Sequence, residues 1–294
     1  MEKATIIEVK ELEQKFCINK HLTINAVDKI SFSIKKGEIF ALVGESGCGK
    51  STTAKTIMGV NTLTGGQIFF KGNKISDRKI YNENKKDIQK NMQIIFQDSA
   101  AALNPRMTVE EIIAEPLKTH KIIKNKDKLN EKIENLLYQV GLDSSFKSKY
   151  PSEISGGQRQ RIAIARSIGI EPDFIIADEP IASLDISIQA QIINLFKKLQ
   201  KDYGFTFLFI AHDLSIVRFI SDRVGVMLKG KIVELADTEE LFNNPIHDYT
   251  KSLLSAVPIP DPIYEKSKNI IEYDSSELKC NEMVEFSDNH FVLV

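Results

Sequence analysis

The sequence predicts an α/β fold with an inserted helical region. The first observation is a set of short apolar runs that alternate with helical periodicity, the pattern of a sheet covered by helices on both faces. The second is that this alternation stops between residues 98 and 167, where helical periodicity continues without a strand signal. We therefore expect an α/β core of residues 1–97 and 168–258, a helical region of residues 98–167 and a tail of residues 259–294.

The composition is that of a folded globular protein. Of the 294 residues, 42% are hydrophobic and 27% are charged, which excludes a disordered chain. The net charge is −1, so no chain-wide positive field indicates a nucleic-acid partner. No apolar run approaches the roughly 20 residues of a membrane helix, and the N-terminal segment lacks the continuous apolar core of a signal peptide. We expect a soluble, intracellular protein whose membrane role is peripheral.

The core elements follow in chain order. The predicted strands are Ile39–Val43, Gly65–Gly72, Met92–Phe96, Phe174–Ala177 and Phe205–Ala211, followed by a hairpin of Val224–Leu228 and Lys231–Leu235. Helices are predicted from about Lys50 to Gly59 and within Val109–Tyr150. A further helix has its apolar face over Ile188–Leu199 and is predicted to end at Gly204. The Lys-rich stretch Asn73–Lys90 is typical of a solvated loop and the start of a helix.

A glycine-rich loop follows the strand Ile39–Val43. It reads Gly44, Glu45, Ser46, Gly47, Cys48, Gly49, Lys50, Ser51 and Thr52, which matches the nucleoside-triphosphate loop in full. Glycines let backbone N–H groups converge on phosphate oxygens, and the helix that follows adds the positive end of its dipole. Lys50 would neutralise the β- and γ-phosphates, Ser51 would bind Mg²⁺, and Cys48 is interpreted as a small filler. The alternative is a purely structural glycine turn that binds no ligand.

Two adjacent carboxylates end the strand Phe174–Ala177. Asp178 would be delivered rigidly to the sheet edge, where it could hold Mg²⁺, and Glu179 could act as general base on a water molecule. A solvated acidic turn is an equally simple interpretation of this pair. A second glycine-rich helix start, Ser155, Gly156, Gly157 and Gln158, favours the functional interpretation.

With these residues the chain resembles the ATP-binding subunit of an ABC transporter, whose signature reads Leu-Ser-Gly-Gly-Gln. Ile154 replaces the leucine, and the phosphate-facing Ser155 and Gly157 are intact. The resemblance covers about residues 5–262, with a cassette domain of about 6–257. It implies a P-loop NTPase (RecA-like) core with an antiparallel β subdomain and an inserted α-helical subdomain, and it implies ATP and Mg²⁺ as ligands.

The resemblance also assigns roles to four further residues. Gln97 resembles the Q-loop glutamine, which touches Mg²⁺ and the membrane partner, so the implied metal set is Ser51, Gln97 and Asp178. His212 resembles the switch histidine at the γ-phosphate, and the implied catalytic set is Glu179, His212 and Gln97. Asp185, in Ser183-Leu184-Asp185, resembles the D-loop aspartate. Phe16 is the candidate for the aromatic that stacks on adenine, a position usually held by Tyr; otherwise it is a core aromatic.

Two stretches resemble the oligopeptide, dipeptide and nickel importers within that family: Phe96–Thr108 and Asn244–Thr250, the latter followed by Pro258, Pro260 and Pro262. The resemblance implies a second related ATPase subunit, two membrane-spanning permease subunits and an external substrate-binding protein. A peptide cargo is expected; a nickel or metallophore importer and a soluble non-transport ABC ATPase are the alternatives. Ser99-Ala100 departs from relatives, which usually carry Pro and an aromatic there, so it puts the partner fit in doubt.

The sequence of the tail predicts a segment that packs on the core and binds no metal ion or cluster. Cys17, Cys48 and Cys280 are widely spaced and odd in number, which argues against a disulfide framework. Some relatives hold an iron–sulfur cluster here, but ligation takes about four thiolates and the tail offers only Cys280. His290 with Cys280 likewise falls short of the roughly four ligands of a zinc site. The apolar end Asn289–Val294 predicts an edge strand or a docking segment.

Overall fold

The computed structural model describes residues 4–19, 22–258, 268, 270–274 and 282–294, with the backbone alone at 99 and 100. Cys280, Pro260 and Pro262, which the sequence analysis singled out, lie outside the described residues. The strands are β1 (Thr5–Asn19), β2 (Leu22–Lys35), β3 (Ile39–Val43), β4 (Gly65–Phe70), β5 (Asn73–Lys74), β6 (Met92–Ile95), β7 (Phe174–Asp178), β8 (Thr206–Ala211), β9 (Arg223–Leu228), β10 (Lys231–Asp237), β11 (Met283–Ser287) and β12 (His290–Leu293).

The helices alternate with these strands and then replace them between β6 and β7. They are α1 (Lys50–Ile57), α2 (Arg78–Asn91), α3 (Ser99–Ala102), α4 (Val109–Thr119), α5 (Lys126–Gln139), α6 (Gly156–Ile168), α7 (Ile186–Tyr203), α8 (Leu214–Ile220), α9 (Thr238–Asn243) and α10 (Asp248–Ala256), with 3₁₀ turns at Ser144–Ser148 and Pro151–Glu153. The helical periodicity of Val109–Tyr150 therefore divides between α4, α5 and a 3₁₀ turn. None of the helices in the described ranges is long and apolar enough to span a membrane.

The larger sheet carries the strands that were predicted as buried. Its order is β11-β12-β10-β9-β3-β8-β7-β6, and the five strands from β9 to β6 run parallel. Along β3, Ile39, Ala41 and Val43 enter one hydrophobic cluster, whereas Phe40 and Leu42 enter another. Both faces are therefore buried, which explains why these strands are continuously apolar.

The two hydrophobic clusters divide the molecule into layers. On one face the sheet packs against the helices of residues 98–167 and against α7 and α8. On the other face it packs against α1 and a smaller antiparallel sheet of order β2-β1-β4-β5. The antiparallel β subdomain that the resemblance implied is confirmed. The bounds of the long β1–β2 pair were not predicted from the residues, because its bulges and interspersed charges break the alternation that identifies a strand.

The tail returns to the larger sheet. β12 pairs with β10, through Glu234 opposite Val292, and β11 pairs with β12 at the outer edge. The expected addition of a strand to the sheet by the apolar C-terminal residues is confirmed, but β12 is not itself the edge, because its hairpin partner β11 pairs with it on the outer side.

Candidate nucleotide site

The glycine-rich loop connects β3 to α1 and is shaped by its neighbours. Gly44 has φ +148°, and a Cβ there would lie 2.1 Å from the carbonyl oxygen of Met227 in β9. Gly49 has φ +111°, and a Cβ there would lie 2.2 Å from the carbonyl oxygen of Ala26 in β2. Close backbone approach therefore requires glycine at two of the motif positions, independently of the predicted access for phosphate.

Lys50 is buried at the first position of α1 and turns back into the loop. Its Nζ donates hydrogen bonds to the carbonyl oxygens of Gly44 (2.7 Å) and Glu45 (2.9 Å). Cys48 lies beside it, with Sγ 3.7 Å from Nζ. Burial raises the pKa of the Cys48 thiol, an effect that the Lys50 ammonium opposes. A raised pKa makes the thiol less reactive, which agrees with the interpretation of Cys48 as a filler.

The first turn of α1 keeps its backbone donors available. The N-cap residue is Gly49, and no side chain caps this helix. The first N–H groups of a helix have no partner inside the helix, so they can donate to an acidic ligand. The phosphate cradle over Gly44–Thr52 stays a prediction, and the uncapped start of α1 is compatible with it.

Asp178 closes one side of this cradle. It ends β7, is 5% exposed, and accepts a hydrogen bond of 2.8 Å from the Ser51 hydroxyl. Burial raises the pKa of the Asp178 carboxyl; the Ser51 hydrogen bond opposes this and the neighbouring Glu179 adds to it. A buried carboxylate beside a hydroxyl forms a hard-oxygen pair of the kind that Mg²⁺ prefers.

Glu179 is the next residue after Asp178, and its carboxylate lies close to two other predicted site residues. Its backbone lies in the left-handed region, with φ +46°, and its N–H donates to the carbonyl of Ile210 in β8. Its Oε2 accepts a hydrogen bond of 3.1 Å from Gln97 Nε2 and lies 3.8 Å from His212 Nδ1. Gln97 follows β6 and His212 follows β8, so the carboxyl ends of parallel strands bring all three together.

The signature residues lie at a separate helix start. Ser155 caps α6: its Oγ accepts from the Gln158 N–H (3.3 Å), and Gln158 Oε1 accepts from the Ser155 N–H (2.9 Å). A Cβ on Gly157 would lie 2.6 Å from Ile188 Cγ2 in α7, and one on Gly156 would lie 3.6 Å from Leu184. The hydrogen bonds of this group are made within its own cap rather than to the glycine-rich loop.

The last two predicted site residues are Asp185 and Phe16. Asp185 is the N-cap residue of α7, directly after Leu184. Phe16 lies in β1 and is 39% exposed. Gln14, two residues earlier in β1, accepts a hydrogen bond of 3.4 Å from Thr56 in α1. A register shift between Gln14 and Lys15 interrupts the alternation of β1 at this point, so the contact of Gln14 does not fix the direction of Phe16, and its stacking on adenine stays a prediction.

Sequence reasoning missed one residue that contacts the loop. Tyr249, at the start of α10, accepts a hydrogen bond of 3.1 Å from the backbone N–H of Glu45. The stretch Asn244–Thr250 was singled out as a family marker, but a marker carries no information about what it touches. The walls formed by Met227 and Ala26 were also missed.

Comparisons with known proteins agree with this geometry. The family profile described as "ABC transporter" matches residues 27–182, and the one described as "Oligopeptide/dipeptide transporter, C-terminal region" matches residues 233–283. The oligopeptide transport ATP-binding protein OppF of Bacillus subtilis is 52% identical over 98% of this chain and 95% of its own length. The oligopeptide transport ATP-binding protein AmiF of Streptococcus pneumoniae is 51% identical over 98% of this chain and 94% of its own.

The fold of this chain also matches the folds of solved structures. The ATP-binding cassette MJ0796, in a dimeric post-hydrolysis state with ADP and Pi, aligns with a TM-score of 0.72 and 27% identity over 79% of this chain and 99% of its own. CbiO1 of Clostridium perfringens, part of the ABC transporter complex cbiONQ, aligns with a TM-score of 0.71 and 28% identity over 83% of this chain and 92% of its own. On the sequence match, the fold and the site geometry together, the chain belongs to the ABC transporter family, as one of its ATPase subunits.

Proposed function

We propose that this chain hydrolyses ATP to drive an importer of oligopeptides or dipeptides. The cargo assignment is supported by the match of residues 233–283 to the C-terminal region of such transporters and by the names of its relatives. The chemical assignment is supported above all by one observation: Gln97 and His212 both converge on the same carboxylate oxygen of Glu179.

The residues present fit a magnesium nucleotide. Asp178 Oδ1 and Ser51 Oγ lie 2.8 Å apart, beside the loop that would hold the phosphates. Burial raises the pKa of Asp178, which means that its negative charge is undercompensated in the protein alone. Ser51 and Asp178 would hold Mg²⁺, with Gln97 as the further candidate, and the ion would neutralise charge on the phosphates when bound.

Glu179 is the proposed general base. Its position after a buried strand fixes the carboxylate, and its Oε2 has the Gln97 amide at 3.1 Å as a hydrogen-bond donor. It would accept a proton from the attacking water while Lys50 and the N–H groups of the loop stabilise charge on the phosphates. His212 lies 3.8 Å from the same oxygen and would contact the γ-phosphate.

The signature residues are proposed to act on a second subunit. Ser155, Gly156, Gly157 and Gln158 would face the nucleotide of a related ATPase partner across an ATP sandwich, with Asp185 at the same contact. MJ0796, which this chain resembles, is dimeric with ADP and Pi bound. In this arrangement each site needs the glycine-rich loop of one subunit and the signature of the other.

A cavity between the core and the helical region fits the proposed membrane partner. It has a volume of about 590 Å³ and is lined by Val60 and Phe96 on the core side and by Pro116 and His120 on the helical side. Both Val60 and Phe96 are exposed large apolar side chains. We assign this cavity to a cytoplasmic segment of one of two permease subunits, so the chain would be peripheral at the cytoplasmic face of the membrane. An external substrate-binding protein would deliver the cargo.

The chemical roles are tested by Glu179→Gln in the reconstituted transporter. The amide keeps the size of the side chain but cannot take a proton, so hydrolysis should fall by at least about 100-fold while ATP still binds. Lys50→Ala should lose binding and hydrolysis together, because it removes the buried cation of the cradle. Glu131→Gln, at an exposed position of α5, is the matched control and should behave as the wild type. Undiminished hydrolysis in Glu179→Gln would refute the assignment.

The cargo is tested with the substrate-binding protein that works with this ATPase. Peptides of several lengths and nickel chelates are titrated into that protein, and the same ligands are then tested for stimulation of ATP hydrolysis by the complete transporter. Peptides should bind and stimulate hydrolysis. Stimulation by the metal chelates alone would assign the transporter to the nickel and metallophore alternative.

A further inference from the structure

The peptide group between Gly44 and Glu45 is held from two sides. Its carbonyl oxygen, on Gly44, accepts a hydrogen bond of 2.7 Å from Lys50 Nζ. Its N–H, on Glu45, donates a hydrogen bond of 3.1 Å to the Tyr249 hydroxyl. Reversing this peptide would break both hydrogen bonds, so the two partners fix its orientation together.

The backbone angles of Gly44 do not by themselves supply this orientation. Gly44 lies at φ +148°, and glycine without a Cβ reaches a wide range of backbone angles at little cost. A peptide that follows such a residue turns easily unless its polar groups are bound. Tyr249 binds the side of the peptide that faces away from Lys50.

Tyr249 is itself rigidly placed. It is 2% exposed, and burial raises the pKa of its phenol above the ordinary value, so the hydroxyl stays neutral. Its own N–H donates a hydrogen bond of 3.1 Å to His247 Nδ1, and its ring packs against that of Tyr273. The hydroxyl therefore reaches the loop from a fixed side chain.

The segment before Tyr249 is anchored by a buried carboxylate of β10. Glu234 accepts hydrogen bonds from the N–H groups of Ile246 (2.8 Å) and His247 (3.1 Å). His290 of the tail hairpin, buried like Glu234, lies 2.7 Å from the same carboxylate through Nε2. A continuous chain of contacts therefore connects the C-terminal hairpin to the glycine-rich loop.

We propose that Tyr249 is a positioning residue for nucleotide binding: its hydroxyl sets the Gly44–Glu45 peptide, and that peptide sets the approach of Lys50 to the phosphates. The proposal rests on the proposed role of the loop in ATP binding. Without the hydroxyl, the peptide and Lys50 must be ordered when the nucleotide arrives, and that ordering weakens binding. Once the phosphates are bound, they hold Lys50 directly, so the chemical step is little affected.

The test is Tyr249→Phe, which removes one oxygen and keeps the ring. The hydrogen bond is worth about 1 kcal/mol, so the Kd for ATP and for ADP and the KM for ATP should each rise by about five-fold. The kcat should stay within about two-fold of the wild type, a split that a general loss of folded protein would not produce. Tyr138→Phe, at an exposed position of α5, removes the same oxygen and should change none of these values.

A second measurement uses the unmodified protein. The Glu45 amide should be protected from hydrogen exchange even without nucleotide, and the protection should be lost in Tyr249→Phe but kept in Tyr138→Phe. An unchanged Kd in a folded Tyr249→Phe variant, or an unprotected Glu45 amide in the wild type, would overturn the proposal. A wild-type protein that fails to bind ATP would instead refute the proposed function, so the two failures are distinguishable.

Discussion

The two glycine-rich helix starts of this chain are built in opposite ways. At α1 the N-cap is Gly49, no side chain caps the helix, and both Lys50 and the neighbouring Asp178 are buried. At α6 the N-cap is Ser155, and a reciprocal pair of hydrogen bonds joins it to Gln158, so two backbone N–H groups of this helix start have side-chain acceptors. The first helix start therefore has no side-chain cap, whereas the second has a side-chain acceptor at its N-cap.

The difference extends to backbone strain and charge. Around α1, Gly44, Gly49 and Glu179 all have positive φ, and the pKa of Asp178 is raised by burial. The positive φ of Glu179 and the burial of the Asp178 carboxyl are costs of a site that is organised before its ligand binds, whereas the two glycines adopt their angles at little cost. The α6 start has an ordinary extended N-cap, with φ −68° and ψ 164° at Ser155. We infer that the first start is specialised for the nucleotide of its own chain, and that the second becomes functional only on contact with another subunit.

The largest effect that would test this comparison is expected from Ser155→Ala. In the assembled transporter, hydrolysis should fall by at least about ten-fold, because a donor to the partner's nucleotide is lost. ATP binding by the isolated chain should be unchanged, because the α1 start is untouched. The free energy of unfolding should fall by about 1 kcal/mol through loss of the N-cap.

A matched control separates the cap from the contact between subunits. Thr108 caps α4 with the same reciprocal pattern, through Glu111. Thr108→Ala should therefore cost about the same stability, roughly 1 kcal/mol, without the loss of hydrolysis. Equal losses of hydrolysis in the two variants would show that Ser155 acts only as a cap, and the comparison would fail.

The α1 half of the site was predictable because its signals are local. A strand, a glycine-rich loop and a helix lie within Ile39–Ile57, and the parallel strands then force the ends of β6, β7 and β8 to meet at the same edge. Gln97 and His212 directly follow predicted apolar strands and Glu179 lies one residue further on, so this argument places the three at one edge. Their roles came from the family resemblance. The pairing of the C-terminal residues with the sheet was predictable for a similar reason, from one apolar run.

Contacts between distant segments were not predictable in the same way. Tyr249 is 204 residues from Glu45, and His290 is 56 residues from Glu234. No periodicity or spacing relates these positions, so a single sequence gives no signal of them. The buried walls at Met227 and Ala26 are backbone carbonyls, which any residue type would supply.

The smallest expected effect is the change in stability when the buried charge beside the α1 start, on Asp178, is removed. Asp178→Asn keeps an oxygen that can accept the Ser51 hydrogen bond and removes a buried negative charge. Since burial raises the pKa of Asp178, the nucleotide-free variant should be more stable than the wild type by roughly 1 kcal/mol near neutral pH, measured by urea unfolding, even though it loses hydrolysis. Stability and activity would then change in opposite directions at this residue.

The stability difference between Asp178→Asn and the wild type should depend on pH, in a direction that the raised pKa of Asp178 determines. A folded-state pKa above the ordinary 3.8 means that folded wild type takes up a proton before the unfolded chain does, so its stability falls as pH rises through the interval between the two values. The advantage of Asp178→Asn should therefore be full above the folded-state pKa and shrink as the pH is lowered towards 3.8. Asp143→Asn is the control of opposite sign, because hydrogen bonds from Ser145 lower the pKa of the exposed Asp143 carboxyl. Asp143→Asn should give no stabilisation at any pH. If the stability advantage of Asp178→Asn over the wild type instead grew as the pH was lowered, the charge of Asp178 would already be compensated in the nucleotide-free protein.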